Sequence, residues 1–166
     1  MKKVFTMLVL MLVPFAMQAQ KFHDVEANQA IGPVKSITTS MMGQDQVVTF
    51  TQDGKENGLN KAVYDENGYL VSAERSAMGM DITVKYTWEN GKVKSQTMNV
   101  MGQDNTTTFV YNDKGELIKQ TMNFNGQPME IVHSDYKYDD RGNWISRKTS
   151  VMGQTNDSPR KIQYYE

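Results

Sequence analysis

The chain has no cysteine, only two histidines and, past its first twenty residues, only three prolines and three leucines. Without cysteine there can be no disulfide, no thiolate metal site and no thiol nucleophile, and no acylation at a cysteine behind an export signal, so a lipoprotein is not expected. His23 and His133 have no serine or cysteine motif beside them, which leaves a hydrolytic triad without its parts. Neither sign of charge forms a block: with Lys2 and Lys3 set aside, sixteen basic side chains face nineteen acidic ones. The basic footprint of a nucleic-acid binder is therefore missing. Long apolar runs are missing too, apart from residues 4–17, where VFTMLVLMLVPFAM is too short for a span of about 20 residues and is interrupted by Pro14.

That one run follows Lys2 and Lys3 and precedes Met17-Gln18-Ala19, the pattern of a secretory signal cut after a small residue. The expected organisation is a signal peptide at 1–19, an N-terminal arm or cap at 20–31, and a single domain at 32–166. The mature protein is expected to be exported, periplasmic or secreted, with no integral membrane segment. Its apolar work falls to aromatic, Thr, Val and Met residues, a composition suited to pleated, half-buried surfaces.

A fixed stride runs through the domain. Gly32, Gly68, Gly91, Gly115 and Gly142 are each followed eleven residues later by a second glycine: Gly43, Gly79, Gly102, Gly126 and Gly153. MMGQD, AMGMD, VMGQD, FNGQP and VMGQT surround the second set. A self-similar period is read first because it sets the class of fold. ENG, DKG and DRG are turn chemistry, about nine residues then form a strand of roughly 30 Å, and the second glycine turns the chain back. Return strands carry aromatics two apart, Tyr86 and Trp88, Phe109 and Tyr111, Tyr136 and Tyr138, so each pair shares a face. The fold expected is all-β: an antiparallel meander of about five repeated hairpins in a twisted, curled sheet.

Two apolar columns run through the stacked units: Val34, Leu70, Val93, Leu117 and Trp144 two residues past the first glycine, and Met41, Ala77, Val100, Phe124 and Val151 nine past it. Their parities differ. Either a bulge shifts the register between them or both faces are partly covered; covering by curvature is the preferred reading. Residues 51–68 break the stride, with turn signals at Asp53-Gly54 and Asn57-Gly58 around a short strand near 61–64, and read as a longer hairpin loop.

The phrase Tyr64-Asp65, Gly68, Leu70 returns as Tyr111, Gly115, Leu117 and as Tyr138-Asp139, Gly142, Trp144, with Asn112 in place of one Asp. It resembles the YD repeats of the Rhs family across most of residues 32–166. The resemblance implies antiparallel hairpin repeats and a cell-envelope or secreted setting. It does not imply the toxin activity of long Rhs proteins, which belongs to a separate C-terminal domain.

The constellations that could carry chemistry are thin. His133, in MEIVHSDYKY, reads as a polar strand-surface residue rather than a general base. Asp53, Asp65, Glu66, Asp113, Asp139 and Asp140 cluster at turns, where capping of their own turn is preferred over calcium, which needs six or more converging oxygens. Met42, Met78, Met101 and Met152 each precede a second glycine. Thioethers bind Cu(I), but packing beneath the turns, or an apolar ridge against another protein, fits isolated methionines better. Tyr86, Phe109 and Tyr136 could stack on sugar rings, though cross-strand pairing is the simpler role. Gly68, Gly91, Gly115 and Gly142 are structural turn positions. The reading is an exported, non-catalytic binding or structural module without cofactor or metal, whose partner is another envelope protein or a glycan. The alternative is a small envelope hydrolase acting on glycans.

Overall fold

The computed structural model describes residues 21–41, 44–77, 79–124 and 127–166. The expected signal and the positions Met42, Gly43, Met78, Asn125 and Gly126 lie outside the described residues. A short helix α1 (Asp24–Ala27) precedes eleven antiparallel strands: β1 (Val34–Met41), β2 (Gln44–Thr49), β3 (Asn60–Tyr64), β4 (Leu70–Ala77), β5 (Met80–Glu89), β6 (Lys92–Val100), β7 (Gln103–Tyr111), β8 (Leu117–Phe124), β9 (Gln127–Tyr138), β10 (Trp144–Val151) and β11 (Gln154–Tyr164). The five glycine pairs account for ten of them, and the interrupting segment supplies β3.

The strands form one sheet in the order β2-β1-β11-β10-β9-β8-β7-β6-β5-β4-β3. From β3 to β11 the meander is in sequence, but the first hairpin lies beyond the last strand, with Val34 opposite Tyr164 and Thr39 opposite Arg160. Residues 50–59 are therefore not the expected hairpin loop; they connect the two edges of the sheet. Eleven strands laid flat would be about 48 Å wide. The connection folds back on itself, the Asn57 amide donating to the Thr49 carbonyl at 2.9 Å, which leaves three residues, about 11 Å of chain, to reach Asn60. The sheet must curl until its edges nearly meet, yet β2 and β3 do not pair and it stays open.

The parity problem is resolved by a bulge, against the preferred reading. In every unit the ladder skips one residue of the outgoing strand, the third past the first glycine. Val34 pairs with Tyr164 and Ser36 with Gln163; Leu70 with Tyr64 and Ser72 with Val63; Val93 with Trp88 and Ser95 with Thr87; Leu117 with Tyr111 and Lys119 with Val110; Trp144 with Tyr138 and Ser146 with Lys137. The extra residues are Lys35, Val71, Lys94, Ile118 and Ile145. Each bulge flips the rest of its strand, so Val100 and Val151, nine past their glycines, face the same concave side as Val93 and Trp144. All five residues of the first column are buried. The carbonyl before each of four extra residues receives a side-chain donor from a later strand: Trp88 Nε1 on Leu70 (2.8 Å), Tyr111 on Val93 (3.0 Å), Tyr136 on Leu117, and Arg160 Nε on Trp144. Each such bond contributes about 0.5–1.5 kcal/mol. The return-strand aromatics are thereby fixed by both ring packing and polar tips.

The YD phrase has a local cause. Asp65 Oδ1 accepts from the amides of Asn67 and Tyr69, Asn112 Oδ1 from Lys114 and Glu116, and Asp139 Oδ1 from Arg141 and Asn143, all at 2.8–3.0 Å. The side chain builds the loop, and Asn serves as well as Asp because only an acceptor is required. The Gly91 turn is the two-residue form, with Asn90 and Gly91 between the paired Glu89 and Lys92.

The arm closes the end of the curl where the first glycines lie. Lys21 and Phe22 donate to the Asp53 carbonyl, and His23 to the Gly68 carbonyl. Val25 and Ala30 join Val34, Ile37 and Phe50 in a buried cluster, Val25 alone contributing roughly 1.5–3 kcal/mol of burial. Asp24 is fully buried, accepting from the Glu56 amide (2.8 Å) and the Tyr64 hydroxyl (2.7 Å), and Glu56 takes a two-pronged ion pair from Arg75.

Candidate binding cleft

At this closed end the arm and the glycine turns leave a cleft of about 230 Å³. Its walls come from four places: Glu26 to Ile31 of the arm, Gly91 and Lys92, the segment 114–117 with Tyr111, and Gly142 to Trp144 with Tyr136 and Tyr138. The turn geometry delivers these residues, since the bulge directs Leu117 and Trp144 inward while the tyrosines two apart on β9 stay on one face. Tyr136 and Tyr138 stack at 6.0 Å, and Tyr136 meets Trp144 edge-on at 6.1 Å.

Beneath the cleft, Trp144 has Arg147 over its ring at 4.3 Å and Arg160 at 3.7 Å. Arg160 is buried and donates to the carbonyls of Asn28 (3.1 Å) and Gln29 (2.8 Å); Arg147 donates to Gln29 Oε1 (2.8 Å) and the Tyr136 hydroxyl (3.1 Å). Burial first, then the neighbouring Arg147, pulls the Arg160 guanidinium down to about 9. The indole Nε1 of Trp144 is buried without a hydrogen-bond partner. Asn143 is tied both ways to the arm, accepting from the Ile31 amide (2.7 Å) and donating to its carbonyl (2.9 Å).

The walls carry protonated phenols and one ionised carboxylate. Burial pushes the Tyr111 phenol up to about 12 and raises Tyr136 and Tyr138 as well, so all three stay protonated at neutral pH. Glu116 accepts hydrogen bonds from Tyr138 and Asn112, which hold its carboxyl below the usual range. An ionised acid held by two donors accepts hydrogen bonds and has no proton to give.

The residues singled out in the sequence separate into three groups. Tyr136 lines the cleft; Tyr86 is half-buried, accepting from Arg75 at 3.3 Å, and Phe109 is half-buried on the same concave side. Met101 and Met152 sit 88% and 76% exposed on turns at the opposite end, and Met42 and Met78 lie outside the described residues. Gly68, Gly91, Gly115 and Gly142 occupy turns with φ of 72–85°. His133 is not a strand-surface residue. It is 4% exposed on the concave side, with Gln120 Nε2 donating to its Nε2 and its Nδ1 bonded to Thr149 Oγ1, both at 3.1 Å. A separate irregularity within β9, where Lys137 and Ser134 pair with Ser146 and Lys148 and Asp135 adopts φ 53°, shifts the parity between the β9 tyrosines and His133. Among the described residues no group of three or more His, Asp or Glu is arranged to hold a metal ion, and no helix is long and apolar enough to cross a membrane.

Trp144, Arg147 and Arg160 escaped the sequence reading as a site. Their signal was the alternation Arg160, Ile162, Tyr164, which puts Arg160 in register with inward aromatics. No family model matches the chain, and no curated protein matches it.

Proposed function

We propose that this protein is an exported, non-catalytic binding module, built from YD-like hairpin repeats, that holds the end of a glycan in the cleft beside its arm. The observation that carries this reading is the convergence of Tyr111, Tyr136 and Tyr138 on one cleft floored by the buried Trp144, with Glu116 and Lys92 at its margin. Ring faces bind the apolar faces of sugars, and ionised or amide groups fix their hydroxyls. At about 230 Å³ the space is smaller than the roughly 300–1,000 Å³ of drug-sized sites, which suits one terminal residue of a longer chain. Export is supported by the signal-like residues 1–19, and Glu116, ionised between two donors, does not have the protonated form of a general acid.

A glycan array probed with residues 20–166, followed by calorimetry on the best ligand, tests the reading. Tyr138→Ala, at a ring 44% exposed, should weaken binding by about tenfold, or about 1.4 kcal/mol, while Tm falls only by the loss of its stack on Tyr136 and its bond to Glu116. An array without binders would overturn the ligand class. Turnover of any array glycan, lost in Glu116→Gln, would replace the module by the glycan hydrolase.

A further inference from the structure

We propose that the opposite rim of the sheet, where Met101-Gly102 and Met152-Gly153 turn, docks a basic amphipathic segment of a partner protein. This surface is separated from the cleft by the length of the strands, and the inference does not rest on the glycan reading.

The first observation is conformational. Met101 and Gly102 have φ of 53° and 81°, and Met152 and Gly153 have 49° and 79°, each pair closing a two-residue hairpin between Val100 and Gln103 or Val151 and Gln154. The first position of such a turn is suited to Asn, Asp or Gly, and a long side chain there is held in the left-handed region at a steric cost. Asn125 shows that the repeat can accommodate the better residue, yet Met42, Met78, Met101 and Met152 stand at the other four positions. Both described ones project into solvent, 88% and 76% exposed, so packing beneath the turn does not account for them. A strained residue with an exposed side chain is where function is sought.

The second observation is the surroundings. Met98, Val100, Met122, Met129, Ile131 and Val151 are half-buried on the concave wall next to the rim, so the apolar lip continues inward. Methionine is the side chain that adapts to irregular apolar partners.

Charge identifies the partner. The windows 40–46, 76–82, 99–105, 123–129 and 150–156 contain Asp45, Asp81 and Asp104 and not one of the chain's eighteen Lys and Arg residues. All three carboxylates are exposed. An acidic, apolar rim attracts a segment that carries cations beside an apolar stripe, whereas anionic lipid and the rim of a second copy are repelled.

The test uses residues 20–166 and a dansylated peptide of leucine and lysine with its leucines on one helical face, titrated by fluorescence anisotropy. Binding should weaken steadily with salt. The double variant Met101→Asn, Met152→Asn should bind about tenfold more weakly while its Tm holds or rises, because Asn suits the turn. Asp45→Asn, Asp81→Asn, Asp104→Asn should flatten the salt dependence. Equal binding of a glutamate-for-lysine peptide, unchanged affinity in the methionine variant, or a fall in its Tm would overturn the proposal. Methionine-dependent binding of phosphatidylcholine vesicles without peptide binding would overturn it in favour of lipid.

Discussion

Gly68 and Gly142 hold the same place in their turns, with φ of 85° and 81°, and alanine at either should cost about 1–2 kcal/mol for the left-handed backbone alone. Their surroundings differ. A Cβ on Gly142 would meet nothing closer than Ile31 Cδ1 at 3.9 Å, whereas one on Gly68 would lie 2.1 Å from the Lys21 carbonyl oxygen and 3.2 Å from its carbon. Backbone cannot swing aside as a side chain can, so the arm must lift. With it go the amide of His23 on the Gly68 carbonyl (3.1 Å) and those of Lys21 and Phe22 on the Asp53 carbonyl (3.0 Å each). At about 0.5–1.5 kcal/mol per bond, Gly68→Ala should cost roughly 3–5 kcal/mol in total, against 1–2 for Gly142→Ala. Urea denaturation of residues 20–166 measures both. Amide exchange adds a local readout: Phe22 and His23 should lose protection in Gly68→Ala and keep it in Gly142→Ala. Equal costs within about 0.5 kcal/mol, or undisturbed exchange at His23, would refute the docking of the arm on this turn.

Other expectations follow from buried polar groups. Burial, with a smaller effect of Arg147, holds His133 down at about 4, below its ordinary 6.5, so its neutral form stabilises the fold above the unfolded value. That contribution, on the order of 1–2 kcal/mol once solvent screening is allowed for, should disappear between about pH 6.5 and 4, seen as a falling Tm that is flatter in His133→Gln. Asp24 has the opposite sign: burial raises its carboxyl, so stability is greatest where it is protonated and declines as pH rises through the folded value. Asp24→Asn should remove that decline in a pH series of urea midpoints, while Asp24→Ala, which leaves the Glu56 amide and Tyr64 hydroxyl without an acceptor, should cost about 2–4 kcal/mol. Arg160→Leu strips donors from three carbonyls and should cost a similar 2–4 kcal/mol, with faster proteolysis within residues 21–33 as its signature.

Much of the fold was legible because turn chemistry is local. The acceptor of Asp65, Asn112 or Asp139 and the glycine three residues on build a loop without help from the rest of the chain, so five strides of eleven translate directly into hairpins. The bulge was half-legible: Val34, Leu70, Val93, Leu117 and Trp144 differ in parity from the column seven residues later, which required a register shift or two covered faces, and only pairing distinguishes the two. The place of the first hairpin was not legible, since nothing local about Val34 says that its neighbour is Tyr164. The cleft was hidden for the same reason. Tyr136 could be marked as a candidate, but that its donor Arg147 also holds Gln29 of the arm depends on a contact across 118 positions.

The position of β11 between β10 and β1 has a consequence for how the chain comes into being. The first hairpin has no sheet to join until the last strand has arrived, so it must wait through the making of every unit between them. Its own two strands are at best marginal alone, and the loop closed by pairing β1 with β11 spans nearly the whole domain, which slows folding. The same circuit bars growth: a sixth hairpin would widen the sheet by about 10 Å and the strap at 50–59 could no longer reach. Most repeat arrays can lengthen by one more copy, but this one is an open curl whose width is limited by its strap.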